Sequence, residues 1–389
     1  MTNITLFSQI ISKLDRFKFN KLVNRGQSDK HNKGYNSWTH LVSMLFCQFA
    51  KSQSVRDISN GLRSATGNLN HLGIQKAPSK STISYQNKHR SWELFKDYYY
   101  ILLESLGQQA GFKQVKFRIK AKILLLDSST ISLCLSLFDW AKYKTAKGAI
   151  KMHTLLDYDG NLPAYVNITD GKTADNKGAY DIPLIKRSVI VADRFYNDFS
   201  LLNLWDSMQV YFVIRHKENI RYRVIKENDL PDNRHKHVLK DEIIELTGKK
   251  SKNKYPNQLR RVAIWDEKNE QVIEVITNQM SWTANTISEL YKSRWQIEIF
   301  FREIKQLLHI KSFIGTSQNA VMIQIWTALI TILMLKALKT MAQYNWHLSN
   351  LVAFIRLNLF VKIDLNQWLD KPFCDGSDPP RNSYQGVLF

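Results

Sequence analysis

The chain has 389 residues, a formal net charge of +21 and a pI of about 9.7, and 44% of its residues are apolar. That apolar share suffices for real cores and excludes a disordered chain, and the length allows two or three domains. A basic excess of this size calls for a polyanionic partner, most simply nucleic acid. No polybasic run lies beside an apolar anchor, so a membrane surface is not expected. Cys47, Cys134 and Cys374 lack metal-type spacing, which points to a reducing cytoplasm and no zinc site.

Residues 1–115 read as helical. The N-terminus MTNITLFSQIISKLDRFKF is not expected to be a signal peptide. Ile4, Phe7, Ile10, Ile11, Leu14 and Phe17 recur with helical period, predicting an amphipathic helix. A second helix is expected over SWTHLVSMLFCQFAKS, with Ser37 as its N-cap. A short helix carrying Ser81, Thr82, Ser84, Tyr85, Asn87, Lys88 and Arg90 is either a DNA-reading element of helix-turn-helix type or a solvated helix of a bundle.

From residue 116 the pattern changes. KILLLDSSTISLCL reads as a central buried strand, and IKMHTLLDYDGNLPAYVNITDG as two strands turning around Asp157, Asp159, Gly160 and Asn161. A helix is expected near 176–187, then the strand SVIVADRFY, a helix starting at Asp198, and the strand VYFVIRH. The meander at the front argues for an α/β fold with a ribonuclease H-like mixed sheet flanked by helices, rather than a plain doubly wound sheet. The expected division is a helical DNA-binding domain at 1–115, a first core segment at 116–214 and a basic β-rich insertion at 215–280. A second core segment with the catalytic helix follows at 281–345, then a helical segment and flexible tail at 346–389. The most apolar window, AVMIQIWTALITILML, is short for a membrane span and interrupted by Gln324, so a buried core helix is expected there.

Asp127 and Asp193 each end an apolar strand. A buried carboxylate needs a partner: a cap at the strand end or Arg194 would provide one, but two such residues together also suit a ligand site at the carboxyl ends of central strands. YKSRWQIEIFFREIK adds two glutamates. At about 100° per residue, Tyr291, Arg294, Glu298, Arg302 and Lys305 share one narrow helical face. Leu290, Ile297, Phe301, Ile304 and Leu308 form the adjacent apolar stripe, and Glu303 falls on the solvent side. The polar face is either a salt-bridged stripe or, with the two aspartates, the third arm of a two-metal site for phosphodiester chemistry. His153 reads as a packed histidine, and Asp157, Asp159, Asp170 and Asp175 as turn residues. No Gly-rich phosphate loop is present, so ATP use is not expected.

Tyr291, two residues, Arg294, three residues, Glu298, six residues and Lys305 match the signature of the insertion-sequence-four family of bacterial DDE transposases, which the chain resembles. LLLDSST and VIVADRFY look like that family's two aspartate motifs, although Phe195 stands where many relatives have a small residue. The resemblance covers roughly 120–340 and implies that Asp127, Asp193 and Glu298 bind two Mg²⁺ ions, with Mn²⁺ as a substitute. It also implies that Tyr291, Arg294 and Lys305 contact the phosphate backbone of the transposon end, with Trp295 stacking on DNA and Arg302 beside it. The implied partners are double-stranded DNA, as element ends and target, and a second copy of the chain in a synaptic dimer. The implied setting is the bacterial cytoplasm, at the nucleoid. In the tail, Gln385–Phe389 (QGVLF) resembles peptides that dock on the bacterial sliding clamp, or is simply a frayed terminus. A stand-alone nuclease of this fold and a catalytically silent DNA-binding relative are the competing readings.

Overall fold

A computed structural model of the chain describes residues 3–65, 67–107, 117, 119–133, 140, 142–144, 147–230, 237–307 and 313–373. Cys134, Cys374, Leu308 and the Gln385–Phe389 peptide lie outside the described residues. Six helices open the fold: α1 (Leu6–Ile11), α2 (Arg16–Arg25), α3 (Ser37–Ala50), α4 (Val55–Ser64), α5 (Lys80–His89) and α6 (Glu93–Gly107). The expected single N-terminal helix is two. Asp15 accepts a hydrogen bond from the Lys18 N–H and starts α2 afresh, leaving Phe17 exposed beneath the Lys21 ammonium. The cap of α3 is Asn36 rather than Ser37, because the Asn36 side chain receives the Thr39 N–H.

The α4–α5 pair is not a tight helix-turn-helix, since residues 65–79 separate the two helices. The inner side of α5 docks in the bundle through buried Ile83 and Asn87, the latter bonded to His40. Its outer side exposes Lys80, Ser81, Ser84, Tyr85, Lys88 and His89.

The sheet begins with β1 (Ile123–Leu133), β2 (Lys142–Lys144), β3 (Lys147–Asp157) and β4 (Leu162–Asp170), followed by α7 (Asp175–Ala179), β5 (Val189–Ala192), α8 (Phe199–Ser207) and β6 (Tyr211–Arg215). It continues through β7 (Tyr222–Glu227), β8 (Val238–Leu246), α9 (Lys249–Lys254), β9 (Leu259–Asp266) and β10 (Gln271–Thr277). The closing helices are α10 (Ala284–Ser293), α11 (Trp295–Leu307), α12 (Gln318–Met341), α13 (Leu348–Asn358) and α14 (Leu365–Asp370). The helix expected over 176–187 stops at Ala179, since Pro183 donates no N–H and Arg187 takes a positive φ.

The strands form one mixed sheet in the order β2-β3-β1-β5-β6-β10-β9-β8-β7, with β4 on β3. β1, β5 and β6 are parallel neighbours, and the remaining pairs are antiparallel. This is a mixed α/β architecture of the expected kind. The strands of 215–280 make no separate sheet, because β10 pairs with β6 and carries the core sheet onward. Both sheet faces are covered. One packs on a core that also takes in the N-terminal helices, α11, α12 and α13; the other packs on α8. Of the α12 window apolar enough to cross a membrane, 94% is buried inside the fold. Three of its polar side chains are satisfied there: Gln324 receives the Ile314 N–H, and Thr327 and Thr331 donate to carbonyls one turn back.

Not every basic residue of 215–280 is available to a polyanion. Arg260 makes two hydrogen bonds to the Asp241 carboxylate, at 2.7 and 2.6 Å, with both side chains 5% exposed. Arg261 is buried between Glu242 and Glu274. Arg260→Met is therefore expected to cost about 3–5 kcal/mol of folding free energy by stranding a buried carboxylate. Denaturant unfolding should show this loss, and a companion Asp241→Leu change should recover part of it. Among the described residues of 215–280 the exposed cations are Lys217, Arg221, Arg223, Lys226, Lys240 and Lys268, with Lys249, Lys250, Lys252 and Lys254 of α9.

Candidate active site

Strand parity decides where the first two carboxylates point. Ile123 and Leu125 of β1 join the core shared with α11, while Leu124 and Leu126 join the opposite one; β5 repeats this with Val189 and Val191 against Ile190 and Ala192. Asp127 and Asp193 continue the odd-numbered set and so face the α11 side. Leu126 stands opposite Ala192 in the parallel pair, which puts the two aspartates next in register at neighbouring strands, about 4.8 Å apart across the sheet. Asp127 accepts the Ser128 N–H at 2.8 Å, and Asp193 caps a 3-10 turn by accepting the Phe195 N–H at 2.8 Å. Phe195 fits this turn because its side chain is largely exposed, with the Arg194 guanidinium over its ring.

The third carboxylate arrives on α11, which packs on β1 through Ile297, Phe301 and Ile304. Glu298 lies in its first turn and receives Arg294 Nη2 at 2.6 Å, while Arg294 Nη1 is 4.0 Å from Asp127. Burial pushes the Asp127 carboxyl up to about 7; the negative charges of Asp193 and Glu298 push the same way, against the Ser128 N–H and Arg294. Asp193 is raised too, chiefly by burial.

The polar face expected of a straight helix is divided in two. The helix is interrupted at Arg294, whose N–H bonds Tyr291 O and whose carbonyl accepts from Ile297, both at the tighter i,i+3 spacing. Glu298, Arg302 and Lys305 share one groove with Asp127, Ser128 and Ser129, with a volume of about 410 Å³. Tyr291, Arg294 and Trp295 line another, of about 560 Å³, with Arg215, Trp265 and Lys268. Arg294 bridges the two. Tyr291 is buried with the Arg294 guanidinium 5.9 Å from its ring centre, and Trp295 is 50% exposed with Lys268 above it.

Glu303 is not on the solvent side. It is half-buried beside Lys336, which is itself buried, covers the Phe300 ring and donates to the Asn161 carbonyl. Phe300 is buried as well, so α11 packs over a wider arc than one stripe, against β1 on one side and α12 and α13 on the other.

His153 is buried, as expected, with Nε2 on Thr169. Turn chemistry accounts for Asp170, which accepts from Thr173, and for Asp157, which accepts the Asp159 N–H. It does not account for Asp175. That carboxylate is 3.0 Å from Lys151 Nζ, accepts the Ser128 hydroxyl, and raises the Asp193 carboxyl by its charge. The available signal was an acidic residue opening a helix just before a strand that ends in another aspartate.

Oxygen-rich carboxylates under mutual repulsion, as at Asp127, are the donor chemistry that hard divalent cations take. Among the described residues no three acidic, histidine or cysteine side chains converge closely enough to ligate one ion directly, and the positive charge between Asp127 and Glu298 is Arg294.

Residues 118–334 match the family model described as Transposase DDE domain, and residues 2–75 match one described as Domain of unknown function (DUF4372). A probable transposase for insertion sequence element IS5377 of Geobacillus stearothermophilus is 28% identical over 71% of this chain and 72% of its own length. The putative transposase y4zB of Sinorhizobium fredii is 30% identical over 61% and 67%, respectively. A putative transposase for insertion sequence element IS4SA of Synechocystis is 24% identical over 74% and 80%. The family model spans more than half of the chain and both strand-end aspartates as well as Glu298, and the chain belongs to the DDE transposases of bacterial insertion sequences.

Proposed function

We propose that the chain binds the terminal inverted repeats of its element, cuts the DNA there and joins the 3′ ends to a target. The observation that carries this reading is the placing of Asp127 and Asp193 on neighbouring strand ends, with Glu298 joined to Asp127 through Arg294 and sharing its groove with Arg302 and Lys305. The three carboxylates would hold two Mg²⁺ ions, with Mn²⁺ as a substitute. Divalent cations at such a site activate the attacking water or 3′-hydroxyl and stabilise the leaving oxygen.

The chain's own groups do the rest. Arg294 pairs with Glu298 and lies near Asp127, and with cations held by those carboxylates its guanidinium would be available to a DNA phosphate. Arg302 and Lys305 hold backbone phosphates beside the reacting bond, Tyr291 fixes Arg294 from below, and the half-exposed Trp295 ring offers a stacking surface. The 1–115 helices and the exposed cations of 215–280 are assigned to duplex binding, with the core at 116–214 and 281–345. The 346–389 segment carries the tail. Two copies bring two element ends together, and the tail peptide Gln385–Phe389 is assigned to the sliding clamp. The setting is the bacterial cytoplasm, on nucleoid DNA.

The test is incubation of the full chain and Mg²⁺ with duplexes bearing the inverted repeats that flank its gene. End cleavage followed by joined products supports the reading. Cleavage without joining would make the protein a plain nuclease, and binding without cleavage a silent relative. Replacing Arg302 and Lys305 together with Ala should weaken binding to every duplex and lower the salt-dependence slope by about 1.8, roughly 0.9 per phosphate contact. An unchanged slope removes them from the contact surface.

A further inference from the structure

The end of the sheet that carries Asp127 and Asp193 has a second set of groups on its other face. Ser128 has the opposite parity from Asp127 and points away from α11, where its hydroxyl donates to Asp175 at the start of α7. Lys151 of β3 reaches the same carboxylate at 3.0 Å and donates to the Thr173 carbonyl at 2.8 Å. The placement of α7 is tight, because a Cβ on Gly178 would come within 2.6 Å of His153 Nδ1.

An independent observation concerns Tyr196, on the 3-10 turn that Asp193 caps. Its side chain is 1% exposed, and its hydroxyl faces Ser128 yet has no hydrogen bond of normal geometry. The groups whose charges act on it are Asp127, Asp175 and Asp193. A buried hydroxyl with no well-formed hydrogen bond, under the charge of three carboxylates, is costly unless the cluster has a ligand to order it.

We propose that Asp175 is a fourth carboxylate of the divalent-cation site, a positioning residue that supplies negative charge behind Asp127 and Asp193. Ser128 links it to the Asp127 backbone, Lys151 holds it in place, and the buried Tyr196 hydroxyl lies beside Ser128. This rests on the cation reading of Asp127, Asp193 and Glu298. It makes the two faces of the sheet contribute unequally: ligands from the α11 side, supporting charge from the α7 side.

The test is Mn²⁺ binding to the full chain without DNA, followed by calorimetry and the paramagnetic signal of free Mn²⁺. Asp175→Asn keeps an oxygen for the Ser128 hydroxyl and is expected to weaken Mn²⁺ binding about tenfold. Asp170→Asn, an exposed carboxylate of the preceding turn, should leave it unchanged. Lys151→Met removes the cation facing the same carboxylate and should tighten binding several-fold. Thermal unfolding of each variant without metal separates loss of fold from loss of affinity. Wild-type affinity in Asp175→Asn would overturn the proposal, and so would weakening by Lys151→Met, which would make the pair only a brace. Asp193→Asn distinguishes the two levels of the reading. If it too leaves Mn²⁺ binding intact, the three-carboxylate site fails; if it alone weakens binding, only the fourth carboxylate does.

Discussion

Glu298→Gln is expected to lower end cleavage roughly a thousandfold or more, about 4 kcal/mol of transition-state stabilisation, while duplex affinity stays within a few-fold of wild type. The amide is isosteric and still accepts from Arg294, so the fold and the groove walls persist; the charge that a divalent ion requires is lost. Glu303→Gln is expected to do the reverse. Glu303 opposes the burial that pulls the Lys336 ammonium down to about 8, so its loss should lower thermal stability and leave cleavage per folded molecule nearly unchanged. Cleavage rates in Mg²⁺, normalised to the folded fraction, separate the two. Normal cleavage by Glu298→Gln together with abolished cleavage by Glu303→Gln would refute the choice of glutamate.

Stability without metal is expected to fall as the pH rises from about 4 to about 7. The Asp127 carboxyl is held near 7 in the folded chain, first by burial, against an ordinary 3.8. Across that window the folded state holds a proton that the unfolded chain releases. Its contribution is greatest below the ordinary carboxylate range and is lost by neutral pH, at most about 4 kcal/mol. Cations compete with that proton, so Mg²⁺ should raise Tm more at pH 8 than at pH 5.5. Asp127→Asn removes the buried charge. It should be more stable than wild type at pH 8 without metal, inactive, and far less responsive to Mg²⁺. An equal Mg²⁺ effect at both pH values, or a destabilised Asp127→Asn, would contradict this account of Asp127. A site that costs stability when empty of cations is one selected for charge rather than packing.

Much of the sheet could be read directly. Continuous apolar runs in β1, β5 and β6 have few alternatives, and the turn residues between β3 and β4 mark their hairpin. The helix around Glu298 was legible because its apolar residues recur with helical period, and that period separated Glu298 from the buried stripe. It failed for Glu303. Periodicity describes an isolated straight helix with one buried side, whereas this segment breaks at Arg294 between α10 and α11, and α11 is packed from two directions. A burying neighbour such as Lys336, 33 residues further on, leaves no local mark on the sequence around Glu303.

The same distinction governs the site. Asp127 and Asp193 were conspicuous because a charged residue terminating an apolar strand conflicts with its surroundings. Asp175 was not, since an aspartate opening a polar segment conflicts with nothing nearby. By itself the sequence determined what depends on neighbours along the chain: the strands and helices, the two strand-end aspartates, the glutamate spacing and the basic balance. Only the tertiary structure decided which cations are free and which, like Arg260 and Arg261, are already paired across the sheet. It also decided that the strands of 215–280 extend the core sheet, and that Asp175 meets Ser128 from the far face. Those outcomes depend on contacts between residues distant in sequence, which packing and strand register fix and local pattern does not.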